Sequence, residues 1–270
     1  QNKKSENYSV QIENANNPDL SEEERTNLYL DAMKIDPDRT EAYINLISLF
    51  LSSGEKEGAL SKNEASVIVQ LSAGIDTRTS SGFTQTIYPL MELKKNNKDG
   101  YEEVCNEIGF AYWYDYEIES DRYSSAVEWF KEAQDKYPIA KTYCNIGENR
   151  IQIKKYEDQK RTEKMYQAYQ ELWKDMEQLQ NNIQLLKDND IKILAWEEMV
   201  NTIYEKVPYF LLNIDSDNIE KLLNSVMENV DKLRENTKFA DIKTSLDDIK
   251  ENVKKTQERL YSADSIEEEK

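Results

Sequence analysis

The residue types that most often do chemistry are sparse or missing in this chain. It has no histidine, which removes Ser-His-Asp and Cys-His triads, His-Glu-x-x-His zinc sites and imidazole acid–base catalysis together. Its two cysteines, Cys105 and Cys144, fall inside apolar helical patterns, where a free thiol behaves as a small buried hydrophobe. Outside a dense cysteine framework a bridge between them is the less expected state, and neither state fixes a compartment. Ser53 and Lys56 match S-x-x-K, but the companion motifs are missing and the place beside Gly54, at a helix end, reads as a loop. Asp215, Ser216, Asp217 and Asn218 open like a calcium loop yet lack the glycine at the sixth position and the glutamate at the twelfth. Capping of a helix that starts before Ile219 explains them better. The 53 acids create close carboxylate pairs by chance, most of them on solvated faces, so none is singled out for glycosidase work. Asn7-Tyr8-Ser9 fits the glycosylation sequon, a pattern too short to carry weight. No catalytic residue, cofactor or metal ligand is assigned, and the chain is expected not to be an enzyme.

Composition turns the question towards recognition. At 270 residues the chain is long enough to bury a real core. Its 33% charged content and mean hydropathy of −0.85 lean towards disorder, but 38% hydrophobic residues, 17 Tyr and four Trp argue that it folds. The net charge of −18 is spread evenly: residues 1–155 carry 27 acids against 18 bases, and residues 156–270 carry 26 against 17. Neither half has spare cations to neutralise phosphates, which argues against nucleic acid and anionic lipid as partners. A protein or peptide is expected instead, and a basic one would complement the charge. No stretch approaches the roughly 18 consecutive apolar residues of a membrane span, and no signal peptide is evident, so direct membrane insertion is not expected. The chain begins at Gln1 rather than Met and reads as an excised fragment, from which an anchor or targeting segment could have been removed.

The elements that must position any site are helices. All seven glycines lie at or before Gly147, and the only later proline is Pro208, so the chain changes character near residue 155. Before it, breakers delimit helices predicted at 6–16, 21–35, 40–53, 61–73, 83–96, 100–117, 122–136 and 139–155. Ser21 with Glu24 makes a capping box, and Asp38 or Thr40 can cap the helix after Pro37. After it, Met165, Tyr169, Leu172, Met176, Leu179, Ile183 and Leu186 alternate steps of four and three as a heptad seam. Further seams run from Ile193 through Trp196 and Val200 to Ile214, with a kink expected at Pro208; through Leu223, Val226, Val230 and Leu233; and from Ile242 through Leu246, Ile249 and Val253 to Leu260. No two-residue alternation marks a strand, and Glu267 to Lys270 reads as a frayed tail. The expected fold is all-α, in two parts: short helical hairpins over 1–155 and a long-helix antiparallel bundle over 156–270.

Ala126, Phe130, Ala133 and Pro138 stand at the spacing A-x₃-F followed by P, and Cys105, Ile108, Gly109 and Tyr112 fit W-x₂-L-G-x₂-Y with Cys for Trp and Ile for Leu. Weaker copies surround Pro37, with Tyr29 and Ala32 before it and Tyr43, Leu46 and Phe50 after it, and another lies beyond Pro138 at Tyr143 or Cys144 with Ile146 and Gly147. On these residues the chain resembles the tetratricopeptide repeat family over roughly 20–155. It departs from the pattern by five extra residues between Gly109 and Ala126, and by a stretch, Ser61 to Asn96, that fits only as generic helix pairs; the array is therefore expected to be irregular. More loosely, Asp36-Pro37 with Glu41 to Tyr43, and Ile108-Gly109 through Tyr112-Trp113 into Trp129-Phe130, look like the repeat regions beyond the catalytic domain of some bacterial membrane-bound serine/threonine kinases. That resemblance implies a ligand-sensing region, extracellular and membrane-anchored through other parts of its parent, against a cytoplasmic alternative. The chain itself carries no kinase motif.

In stacked helix pairs the first helix of each repeat lines a concave surface. If Cys105, Ile108, Gly109 and Tyr112 face the partner helix, then Asn106, Phe110 and Trp113 form a neighbouring stripe, repeated on the next first helix by Asn145, Asn149 and Gln152. These six residues are the expected partner-binding set, with carboxamides to pair with a peptide backbone and aromatics as anchors. The competing reading is that Phe110 and Trp113 pack inward and the amides are merely solvated. The aromatic run Tyr112 to Tyr116, with Tyr123 and Trp129, is expected to be part core and part exposed, for a partner or a carbohydrate. The expected function is a non-catalytic protein- or peptide-binding scaffold; the alternatives are the kinase sensing region and a structural protein whose seams pair with another chain.

Overall fold

The structure, a computed structural model, describes residues 2–52, 62–73, 89–113, 122–185, 196, 199–202, 205–206, 214–236 and 240–267. All α-helix, 3-10 turn or connecting turn, the described residues contain no strand, and the chain is all-α. It divides into two compact units, Gln1–Tyr137 and Pro138–Lys270. The first holds α1 (Asn2–Ala15), α2 (Glu22–Ile35), α3 (Glu41–Ser52), α4 (Lys62–Ala73), α5 (Pro89–Asn96), α6 (Lys98–Trp113) and α7 (Arg122–Ala133). The second holds α8 (Pro138–Asp158), α9 (Thr162–Asn181), a 3-10 turn at Ile183–Leu185, α10 (Ser216–Asn236) and α11 (Ala240–Glu267). The compositional change near residue 155 falls inside α8, so the helix from Pro138 to Asp158 belongs with the long helices C-terminal to it. A proline at the first helical position loses no helix hydrogen bond, and Pro138 opens α8 rather than only closing the segment before it.

Local chemistry sets the helix ends. Ser21 Oγ accepts from the Glu24 backbone N–H at 3.2 Å while Glu24 Oε2 accepts from the Ser21 N–H at 2.8 Å, the reciprocal box expected from the sequence. At α3 the donor is met from outside: the Ala42 N–H donates to Tyr8 Oη at 3.0 Å, and the Arg39 guanidinium lies 4.0 Å from the Tyr8 ring centre. Asn97 caps α6 by accepting from the Gly100 N–H at 3.0 Å, and its Nδ2 donates to the Asp38 carbonyl at 3.0 Å, tying α6 to the α2–α3 connection. Asp215 caps α10, accepting from Asn218 N–H at 2.9 Å, the capping role expected from the sequence. The α8 terminus turns on Lys160 at φ 55°: Lys160 N–H donates to the Glu157 carbonyl and Arg161 N–H to the Tyr156 carbonyl. That left-handed cap usually takes glycine.

In the first unit α1 packs on α2, α2 on α3, and α3, α5 and α7 all pack on α6. Helix α6 is consequently central: from Gly100 to Trp113 only Glu103 is exposed and Glu107 half-buried. Gly109 permits the closest approach. A Cβ there would stand 2.6 Å from Phe130 Cδ1 and Cε1, so the ring occupies the space a side chain would need. Ala126 and Ala133, one turn either side of Phe130 on α7, are fully buried and let the helices meet.

In the second unit the seam residues named next are buried. Tyr169, Leu172, Met176, Leu179 and Ile183 are core, as are Leu223, Val226, Val230 and Leu233 on α10 and Leu246, Ile249, Val253 and Leu260 on α11. Helix α8 packs on α9, α9 on α10, and α10 on α11. The α10–α11 pair carries a ladder of polar contacts: Arg234 with Asp247, Asp231 with Lys250, Asn224 with Gln257, and Glu220 with Tyr261. In each pair the residue numbers sum to 481, so one antiparallel register holds along the hairpin. The kink expected at Pro208, the Ser53–Lys56 fragment and Tyr114 to Tyr116 lie outside the described residues.

Candidate functional site

The six residues expected to bind a partner divide between the units, three in each. Asn106, Phe110 and Trp113 lie on one face of α6, and that face is core: none exceeds 2% exposure. The Phe110 ring meets Phe130 edge-on at 5.0 Å, and Trp113 sits 4.8 Å from Tyr123 and 6.3 Å from Phe130. The expectation that this stripe faces a groove is corrected. It assumed that α6 has one partner helix; α6 has three packed on it, and the edge it leaves open carries Glu103 and Glu107 rather than this stripe. Asn106 Oδ1 is buried and accepts no hydrogen bond. Tyr112 is buried beside these residues, whereas Tyr123 and Trp129 are partly exposed.

On α8, Asn145, Asn149 and Gln152 are all partly exposed, as a recognition stripe requires. They succeed each other at steps of four and three, so they share one face of the helix. One of them is already engaged. Asn149 Nδ2 donates to Asp175 Oδ2 of α9 at 2.7 Å, and the Asn145 carboxamide lies near enough to favour the charged form of that carboxyl. Asp175 is half-buried, and among the described residues no ammonium or guanidinium lies within 4 Å of it. The nearest lysine in sequence, Lys174, pairs with Glu171 at 2.8 Å. Loss of solvent pushes the Asp175 carboxyl up to about 6, with Glu171 adding to the rise and the two asparagines and Lys174 opposing it.

Sequence reasoning passed over Asp175, although a signal existed. Ala168, Leu172, Asp175 and Leu179 stand at helical steps of four, three and four, and Asp175 is the one polar residue on that stripe. The same signal marks a second polar feature. Gln180 continues the stripe Tyr169, Trp173 and Met176, and its Oε1 accepts from Asn229 Nδ2 at 2.8 Å and Trp196 Nε1 at 3.3 Å, all three residues buried. Asn229 interrupts the α10 stripe of Ile219, Leu222, Val226 and Leu233 in the same way.

The nucleophile candidates are quiet. Burial pushes the Cys105 thiol up to about 12, and Tyr101 beside it is likewise driven upward, first by burial and then by Cys105. Lys94 spans Glu132 at 2.8 Å and sits 4.9 Å from the Tyr101 ring centre, closing that corner. Cys105 and Cys144 form no disulfide and are both buried, each in its own unit. The exposed large apolar side chains Val10, Val69, Met91 and Tyr261 stand singly on four different helices, and none contributes to the α8 stripe. No helix among the described residues is long and apolar enough to cross a membrane. No family model matches the chain, and neither a curated protein nor a solved structure matches it.

Proposed function

We propose that the chain is a non-catalytic scaffold that binds a protein or peptide, with Asn145, Asn149 and Gln152 on α8 contacting the partner. The observation that carries this reading is the accessible row of three carboxamides on one helix face, backed by a half-buried carboxylate that forms no ion pair among the described residues. Carboxamides can both donate to and accept from a peptide backbone, and a carboxylate with free lone pairs accepts from lysine or arginine. The net charge of −18 favours encounter with a basic partner. The helical hairpins of the first unit and the tight Gly109–Phe130 approach agree with the tetratricopeptide resemblance, in which helices are presented for binding.

Selection of a random peptide library on the immobilised full chain tests the reading. Lysine- and arginine-containing peptides should be enriched, their binding should weaken as salt rises through about 0.15 M, and Gln152→Lys should reduce it by placing a like charge beside them. Enrichment of no sequence class, or of peptides indifferent to Gln152→Lys, would refute it.

A further inference from the structure

The carboxyl of Asp175 sits where α8 and α9 pack, among groups contributed by both helices. From α8 it meets two neutral carboxamides, Asn145 and Asn149, one turn apart. From its own helix it meets one like charge, Glu171, one turn earlier, and one opposite charge, Lys174, already engaged by Glu171 at 2.8 Å. The hairpin therefore holds a carboxylate away from part of its water with no ion pair in return among the described residues. The Asn149 hydrogen bond softens that cost, but a neutral carboxyl would still accept from Asn149, and its proton could be donated to a carboxamide oxygen.

We propose that the α8–α9 hairpin is a pH-responsive joint, tightening on mild acidification, with Asp175 as the sensing group and Asn149 as the residue whose hydrogen bond it resets. The joint belongs to the hairpin alone; only its consequence, a change in the availability of Asn149 to a partner, rests on the binding function proposed above.

The direction is set by linkage. The folded carboxyl titrates near 6, above its ordinary 3.8, so the folded hairpin binds the proton more tightly than the unfolded chain does. Its favourable contribution is complete below about 3.8 and is lost as pH rises through about 6. That difference caps the change in the opening equilibrium at about 100-fold well below pH 3.8, of which about tenfold falls between pH 7.5 and pH 5, and solvent reaching the open side of Asp175 reduces that part to about threefold.

Two measurements on the full chain test the joint. In a carbon-detected titration the Asp175 carboxyl should titrate well above the other aspartates; a midpoint in the ordinary aspartate range overturns the proposal whatever the variants do. Hydrogen exchange, corrected for intrinsic rates, should give α8 and α9 amides about threefold more protection at pH 5 than at pH 7.5. Asp175→Asn should raise protection at pH 7.5 and abolish the pH response in these two helices. An Asp175→Asn hairpin that keeps the wild-type pH response also overturns the proposal. Neither readout involves a partner, so failure of peptide selection leaves this test intact, and failure here leaves the binding reading to stand or fall by selection.

Discussion

Replacing Gly109 with alanine sets two physical effects against each other with opposite signs. In the interior of a helix the change is intrinsically favourable by about 1 kcal/mol, because alanine restricts the unfolded chain and suits the helix. At Gly109 the new methyl would lie 2.6 Å from two carbons of the Phe130 ring and 3.0 Å from a third. The ring is held edge-on by Phe110 and flanked by Trp113, all three fully buried, so it cannot swing clear as the end of a lysine could. Overpacking a filled core costs about 1–3 kcal/mol, and contacts of 2.6 Å with a ring that is held in place belong in the upper part of that range, about 2–3 kcal/mol, so Gly109→Ala should be net destabilising by about 1–2 kcal/mol. The first unit need not unfold together with the second, so the assay is hydrogen exchange resolved to α6 and α7 rather than a single melting curve. Protection there should fall by roughly 5- to 30-fold. Adding Phe130→Leu should recover part of the loss, because the two changes share one space and are not additive. Unchanged or increased protection in Gly109→Ala would mean that helix propensity wins and that the α6–α7 approach is looser than described.

Other expectations concern single side chains. Asn106→Leu removes a buried acceptor that bonds to nothing and should stabilise the first unit by about 1 kcal/mol in urea titration of α6 protection. Lys160→Gly relieves a left-handed backbone at the α8 terminus and should stabilise the second unit by about 0.5–1 kcal/mol, a gain that Lys160→Ala should not reproduce. Asn229→Ala strands Gln180 with one fewer donor in a buried site and opens a small cavity; a loss of about 2–3 kcal/mol is expected in α9 and α10. Cys105 should resist iodoacetamide at pH 8 in the native chain and react once the chain is unfolded in urea, because its thiol is buried and held near 12.

What the sequence made legible was the part of the fold written in short-range pattern. Ser21 with Glu24 marked a helix start, Asp215 was legible as a cap, and the alternating four- and three-residue steps picked out side chains that are buried in α9, α10 and α11. Spacing marked Gly109 and Phe130 as pattern positions on successive helices, but that the two meet is a finding of the structure. The end of α8 was not legible, because the residue that takes the left-handed cap is Lys160 and no glycine marks it. The status of Asn106, Phe110 and Trp113 was not legible either. Spacing says that three side chains share a face of α6, but whether that face is open depends on how many helices pack against it, which is a tertiary property. Asp175 lay between these extremes: its place on an apolar stripe was visible, while its pairing with Asn149 required two helices to be set side by side.

The most direct test of the binding function observes the three carboxamides themselves. Side-chain amide resonances of Asn145, Asn149 and Gln152 can be tracked by nitrogen-edited NMR while the full chain is titrated with a basic peptide taken from the selection. These three should shift together, saturably and at the same midpoint, with the buried Asn106 amide unmoved. Saturable binding that moves other resonances and leaves Asn145, Asn149 and Gln152 in place would contradict the proposed function.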